Sequence, residues 1–470
     1  MTEHAFLLDL GRCIGCQACV VACKVGNDLG SGQQYIHITE QTRGTFPDLQ
    51  GGFKNLRCFH CADAACVAVC PTGALFKEGG LTRLDRSACS GCGYCVVACP
   101  YGIPEMHDGR AGKCDGCAGA VAAGGEPWCV QTCPSRALEY GERSEIEAEA
   151  GRRVSALRNL HPNASIYGET QAGGLGLLVV SPDVPEALDL PMSPAPPPSV
   201  DLWQKVVQPG TLAITAATIA AAGVGAVIAR RRHLGEMQQL EAAAPGGESD
   251  DAEQEHLILR YQPTQRRVHV LLASSFLVLL LTGLFLLWGP LGFLAAGGIS
   301  RWLHRIGAVV YMAVPVVYLV RDREGAKQLL VESFTYDRDD WEWLKRIGRY
   351  LGGRSVDMPP QGRLNAGQKL HHAAVIVVSA GIVLSGLGLW FLKAALGLTG
   401  VAWVAMVHDG SALVLTLLLV GHLYFTFAYR AVSGMTTGYV PMAEARIEHA
   451  KWVDELEGKT AAEALAEAGK

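Results

Sequence analysis

Two stretches decide the reading of this chain: Cys13-Ile14-Gly15-Cys16-Gln17-Ala18-Cys19-Val20-Val21-Ala22-Cys23 and Cys89-Ser90-Gly91-Cys92-Gly93-Tyr94-Cys95-Val96-Val97-Ala98-Cys99-Pro100. Each spaces four cysteines by gaps of two, two and three residues. Cys58, Cys61, Cys66 and Cys70 form another group, and Cys114, Cys117, Cys129 and Cys133 a last one, both with an insertion in the middle. These groups account for all 16 cysteines of the 470 residues, and none follows Cys133. Secreted disulfide scaffolds also concentrate cysteine, but at irregular spacing. Repeated short gaps bring several soft thiolate donors around one point, which is what a metal centre requires.

Pro71, Pro100 and Pro134 directly follow three of the groups. That arrangement matches the bacterial ferredoxin signature, in which the fourth cysteine serves the partner cluster. Sixteen thiolates at four per cube give four [4Fe–4S] clusters. Zinc ribbons use Cys-x-x-Cys pairs, but the uninterrupted run followed by proline is the more specific pattern. With all four cysteines spent on each cube, no iron keeps an open position for substrate. The cysteine module is therefore expected to conduct electrons rather than catalyse.

The rest of the chain is oily. Apolar residues make up 49% of the sequence against 18% charged, and the mean hydropathy is +0.19. Forty basic and 45 acidic residues leave a net charge of -5, which offers no basic field for a nucleic acid backbone. Thr211–Ala229 is an uncharged run close to the roughly 20 residues of a spanning helix, and Arg230, Arg231 and Arg232 follow at once. Val270–Trp288, His304–Val320, His371–Leu392 and His408–Tyr429 have the same character. Buried soluble helices are the alternative, and five matching segments argue against it. Domain boundaries are expected at 1–150 for the cysteine module and 151–208 for a proline-rich extended linker and partner-contact segment. A membrane helix at 209–232, an acidic connector at 233–256, a four-helix membrane domain at 257–435 and a helical tail at 436–470 complete the chain.

Five spans put the chain ends on opposite sides. Arg230–Arg232, Arg260, Arg266, Arg267, the loop from Arg321 to Lys369 and Arg430 fall on one side, against Arg301, Arg305 and Lys393 on the other. The positive-inside rule then places the C-terminus in the cytoplasm and the cysteine module outside, in a bacterial inner membrane. Residues 1–24 show no basic region followed by a long apolar one, so no cleavable signal is expected.

Histidine in a spanning segment is costly and rare. His304 and His408 begin outer helix ends, His269 begins an inner one, and His422 lies about 21 Å down the helix from His408 at 1.5 Å per residue. Two levels result: His304 with His408 near the outer face, and His269 with His422 near the inner face. Neutral imidazole on both axial positions suits b-type haem that carries electrons. His371 and His372 rival His269. The absence of Cys-x-x-Cys-His from the sequence excludes covalent c-type attachment.

On these motifs residues 1–240 resemble the iron–sulfur (beta) subunit of respiratory formate dehydrogenase, within the wider family of four-cluster partners of molybdenum and tungsten oxidoreductases. The resemblance implies an α+β fold: a double bacterial-ferredoxin-like domain with four [4Fe–4S] clusters, one tethering transmembrane helix, then a four-helix cytochrome b bundle. It implies clusters on Cys13, Cys16, Cys19 and Cys133; on Cys23, Cys114, Cys117 and Cys129; on Cys58, Cys61, Cys66 and Cys99; and on Cys70, Cys89, Cys92 and Cys95. The segment 257–457, with Arg260-Tyr261 and Asn365-Ala366-Gly367-Gln368-Lys369, resembles the cytochrome b (gamma) subunit of the same enzymes. This supports the histidine pairs and implies a menaquinone pocket at Asn365, Gly367, Gln368 and His422. From sequence alone, Asn365–Lys369 is a polar loop ahead of a helix.

The implied path runs from a molybdenum or tungsten catalytic partner through four clusters and two b haems to menaquinone or another quinone. The chain itself carries no formate chemistry. A trimer of complexes, and export beside a partner with a twin-arginine signal, follow from the same resemblance. The wire suits equally a hydrogenase or another molybdenum or tungsten enzyme, running from quinol to an acceptor, because ligand motifs do not encode direction.

Overall fold

A computed structural model describes residues 3–47, 49–243, 257–429 and 431–458. Arg430, the acidic residues 244–256 of the expected connector, and 459–470 of the tail lie outside the described residues. The chain divides into two compact units. One comprises Met1–Lys205, Leu281–His304 and Leu396–Ala402, and the other Val206–Leu280, Arg305–Ala395 and Trp403–Lys470.

The first unit is built on a four-stranded sheet. His4–Asp9 pairs in parallel with Leu177–Ser181 and antiparallel with Leu138–Glu142, and Ser165–Tyr167 pairs with Leu177–Ser181. Successive strand residues face opposite sides, and the sequence uses both. Ala5, Leu7, Leu178 and Val180 pack under Ile146, Ala150 and Val154 of the helix Arg143–Leu157. Phe6, Leu8, Leu177 and Val179 face the other way, onto Cys19, Cys23 and Cys129. Three antiparallel hairpins, Ile36–Arg43 with Gln50–Arg57, Leu75–Glu78 with Leu81–Leu84, and Glu105–His107 with Arg110–Gly112, close around the cysteine loops.

This corrects the expected extended linker over 151–208. The helix Arg143–Leu157 crosses residue 150, and Leu177–Ser181 is an inner strand with all five residues buried. Its apolar run Leu175–Val180 is long enough to fill a doubly covered strand. Regular structure thins only toward the prolines at 191–198.

Among the described residues, five helices are long and apolar enough to cross a membrane: Pro198–Leu240, Pro263–Leu287, Pro290–Arg321, Ala366–Phe391 and Gly400–Ala428. Their apolar side chains stand outward, with Val224 65%, Val320 77% and Leu384 70% exposed. Such surfaces are unfavourable in water and suited to hydrocarbon. The helices outrun the expected spans. The first continues as Gln208–Ala243 because His233–Ala243 holds good helix formers, so the expected connector begins inside a helix. His304 and His408 likewise stand inside the helices Ile299–Arg321 and Lys393–Ala428 rather than at their starts. In the second unit, Tyr439–Pro441 pairs with Leu257–Leu259, tying the tail back to the start of the expected membrane domain.

Candidate iron–sulfur and haem sites

Each cysteine group opens with the same turn. The residue before the second cysteine has left-handed backbone in all four: Gly15 (φ +66°), His60 (+49°), Gly91 (+75°) and Gly116 (+75°). Glycine adopts this conformation freely, which is why it recurs there. A Cβ on Gly15 would stand 2.3 Å from the Phe53 ring, and one on Gly91 would stand 2.0 Å from the Gly109 oxygen. After the turn a short helix begins, at Ala18, Ala65, Tyr94 or Ala118; the first three carry the next cysteine, and the last begins directly after Cys117.

None of the sixteen cysteines is in a disulfide. Cys13, Cys16, Cys19 and Cys133 line one cavity, with Ile14, Leu8 and Pro134 in its wall. Cys58, Cys61, Cys66 and Cys99 line a second, walled by Phe59, Tyr101 and Lys113. Elsewhere Asn27 Nδ2 lies 3.5 Å from Cys23 Sγ and 4.0 Å from Cys117 Sγ, while Arg57 Nη1 donates to Cys129 Sγ at 3.4 Å. Burial pushes the Cys114 thiol well up, with the fields of Cys58, Cys129 and Cys23 adding. Burial likewise raises Cys95, and Cys92, Cys66, Cys70 and Cys89 raise it further. Cys23, Cys61 and Cys66 are pushed up to about 12, in each case chiefly by burial.

These surroundings fit iron–sulfur clusters. Soft donors ring the cavities, and N–H groups point at the sulfurs: Leu75 to Cys70, Ala111 to Cys89 and Gly116 to Cys114, each at 3.4 Å. Thiols held this high do not ionise unaided at neutral pH, and a coordinating metal displaces their protons. Among the described residues, no three His, Cys, Asp or Glu side chains converge as a single metal ion would need; eight of the cysteines line the two cavities instead.

Still in the first unit, the start of the apolar segment Pro290–Arg321 lies against the cysteine loops. A Cβ on Gly292 would meet the Pro71 oxygen at 1.7 Å, and Arg301 Nη1 donates to the Gly109 oxygen at 2.6 Å. His304, one turn beyond Arg301, holds its Nδ1 2.8 Å from Thr282 Oγ1. In the second unit, His408 Nδ1 lies 3.1 Å from the Ile382 carbonyl and 3.2 Å from Ser385 Oγ. A carbonyl only accepts, so Nδ1 carries the hydrogen and Nε2 keeps the lone pair a metal needs. Gly386 is at the same ring, where a Cβ would come 3.2 Å from His408 Cε1.

The His269 and His422 rings are 6.0 Å apart. The two rings are tilted 46° to one another. His371 stacks on His422 at 5.4 Å and 19°, and His372 is 6.0 Å from His371. His269 and His371 thus both stand beside His422.

Asn365, Gly367 and Gln368 have structural duties. The Asn365 side chain accepts from Gln368 N at 2.9 Å, and Gln368 Oε1 accepts from Asn365 N and from Arg260 Nη2, both at 3.1 Å. This is a capping box that starts the helix Ala366–Phe391. At Gly367 a Cβ would stand 2.8 Å from Trp343. Sequence reasoning missed Arg57, His60, Lys113, Thr282 and Ser385. The signal for two of them is a basic residue directly before a first cysteine, but Arg12 shares it and stays half exposed in a pair with Asp9.

A cysteine-ringed domain joined to histidine-bearing apolar helices defines a membrane electron-transfer protein. Profiles described as 4Fe-4S dicluster domain match residues 12–74 and 50–143, and one described as prokaryotic cytochrome b561 matches 260–438. The thiosulfate reductase electron transfer subunit PhsB of Salmonella typhi is 44% identical over 161 residues, 32% of this chain and 83% of that protein. The probable anaerobic dimethyl sulfoxide reductase chain YnfG of Escherichia coli (strain K12) is 40% identical over 161 residues, 32% of this chain and 78% of that protein. The nitrate-inducible formate dehydrogenase iron-sulfur subunit of the same strain is 31% identical over 278 residues, 54% of this chain and 90% of that protein. This chain belongs to the family of 4Fe-4S electron-transfer subunits that these proteins represent, joined in one polypeptide to a cytochrome b561-like domain.

Proposed function

We propose that this chain is the electron-transfer and membrane-anchoring subunit of a respiratory formate dehydrogenase, taking electrons from a molybdenum or tungsten catalytic subunit and delivering them to menaquinone. The length of the similarity carries this reading: the match to the formate dehydrogenase subunit runs over 278 residues, against 161 for the reductase chains. Bound clusters and b haems supply reversible one-electron storage. The sixteen cysteines hold four clusters in the combinations given above, and buried N–H groups and cations offset the charge on their sulfurs. Arg301 and the residues around Gly292 hold the loops of Cys70, Cys89, Cys92 and Cys95 against the chain that leads to His304, which supports an exit there. His304 and His408 hold the outer haem, and His269 and His422 the inner one. Asn365, Gly367, Gln368 and His422 border the quinone, the capping box fixing the position of the first three. With the cysteine domain outside and the C-terminus in the cytoplasm, electrons from formate oxidised outside meet protons taken up inside, and a membrane potential results. The complexes associate as trimers.

The higher identity to the thiosulfate and dimethyl sulfoxide reductase chains favours a second reading, the same wire running from quinol to an acceptor. Purification of the intact complex, with metal analysis and both assays, separates the two. Molybdenum or tungsten together with formate-dependent quinone reduction is expected. Quinol-dependent reduction of an acceptor without formate activity transfers the assignment to the second reading, and a preparation without reduced b-haem absorption overturns both.

A further inference from the structure

Two buried polar side chains cross between two cysteine groups. His60 belongs to the Cys58–Cys61 turn, yet its Nε2 lies 3.6 Å from Cys114 Sγ. Lys113 immediately precedes Cys114, yet its Nζ lies 3.7 Å from Cys58 Sγ. Each loop thus sends one side chain to the other loop's first cysteine. His60 is 1% exposed and Lys113 2%.

One backbone residue pins both. The Thr82 N–H donates to His60 Nδ1 at 3.1 Å, and the Thr82 carbonyl accepts from Lys113 Nζ at 2.6 Å. Because an N–H only donates, His60 Nδ1 is the acceptor nitrogen, and the ring hydrogen sits on Nε2, aimed at Cys114 Sγ. Lys113 also donates to the Cys114 carbonyl at 2.6 Å. Two carbonyls solvate the ammonium without neutralising it, and a buried cation requires an anion nearby. Thiolates on a cluster supply one.

The backbone at His60 points the same way. The equivalent position is glycine in the other three turns, and among these four positions His60 alone carries a side chain at positive φ. Strain of this kind persists where the side chain has work that glycine cannot do.

We propose that His60 and Lys113 form the electron bridge between the cluster on Cys58, Cys61, Cys66 and Cys99 and the cluster on Cys23, Cys114, Cys117 and Cys129, and that they hold the potentials of this pair up. The proposal rests on the cysteine combinations given above. Hydrogen bonds to ligand sulfur and nearby positive charge both raise a cluster's potential, and a bonded path couples two centres better than empty space. One electron leaves one site and enters the other, with no bond made or broken, and Lys113 faces the added negative charge on either side. Both residues are positioning residues.

The test is an EPR-monitored potentiometric titration of the intact complex, with iron and sulfide content measured alongside. Lys113→Gln is expected to shift the midpoint potentials of this pair downward and leave the other two in place, and Lys113→Arg is expected to retain the wild-type values. His60→Gly relieves the backbone and removes the donor to Cys114 together with the acceptor of the Thr82 N–H, so iron content should hold while the cluster bearing Cys114 shifts down. Unchanged potentials in Lys113→Gln and His60→Gly at full iron content overturn the proposal, as does loss of iron in both, which would make the pair a structural support. A wild-type complex with no [4Fe–4S] signals would instead sink the cysteine assignment beneath it.

Discussion

In the cysteine-rich unit the donors of a candidate site arrive together, from one turn and the short helix after it, with a single distant cysteine such as Cys133 or Cys99 completing the ring. In the helical unit, His269 and His422 come 6.0 Å apart from separate helices, and nothing near either residue in sequence announces the other. Backbone conformation builds the first kind of site: four left-handed residues repeat one turn four times. Side-chain hydrogen bonds aim the donors of the second kind, as Ile382 and Ser385 do for His408. Damage in the first kind should therefore spread through a fold wrapped on its ligands, and in the second it should stay with one cofactor.

The strongest challenge to that contrast is Cys95→Ser. Cys95 packs with Ala74, Leu75, Cys89 and Ala111 in a small core of its own. The substitution should remove about a quarter of the iron and sulfide per chain, abolish quinone-linked electron flow and increase proteolysis of the first unit. Full iron content after the change would remove Cys95 from the ligands. His422→Ala is the counterpart: one of two b haems should be lost on pyridine haemochrome analysis while iron–sulfur content and trypsin resistance stay unchanged. If haem content stays at two, His269 and His371 hold the inner haem without His422, and the proposed pair is wrong.

What the sequence reveals follows the same division. The cysteine groups are legible because each turn lies within four residues, and the five apolar helices because burial in lipid demands continuous hydrophobicity. The strand Leu177–Ser181 was hidden by its setting: an apolar run ahead of a proline-rich stretch looks like part of a linker until His4–Asp9 is known to need a parallel neighbour. The sequence offers both His269 and His371 because both start inner helix ends, and both rings lie near His422. Asn365 and Gln368 illustrate a different limit, since a capping box and a ligand site draw on the same polar residues.

A smaller effect probes how the helical unit aims its donors. In Ser385→Ala, His408 keeps its bond to the Ile382 carbonyl and loses only the hydroxyl, so the loss of haem affinity should fall toward the lower end of the about 10–100-fold range for outer-shell partners. Haem transfer to apomyoglobin measures it. An unchanged transfer rate would show that the Ser385 hydroxyl takes no part in orienting the ring.

The smallest effect comes from Glu448, which shows the same burial physics as the cysteines without a metal to replace the proton. Its side chain is 17% exposed, but Oε1 is buried with no hydrogen-bond partner. Burial pushes its pKa up to about 7, Glu444 adds to the rise, and Arg260 pulls the other way. An acid whose folded pKa lies above its unfolded value near 4.3 lends stability that is complete below the unfolded value and lost as pH rises through the folded one. Docking of 439–458 should therefore weaken between about pH 4.3 and 7, by up to about 2–3 kcal/mol, and Glu448→Gln should flatten the dependence. Hydrogen exchange of the amides in Met442–Glu448 across that range reads it directly. A flat wild-type profile would mean that Arg260 keeps Glu448 ionised, and that this end of the helical unit, unlike the cysteine cavities, is held by paired charge.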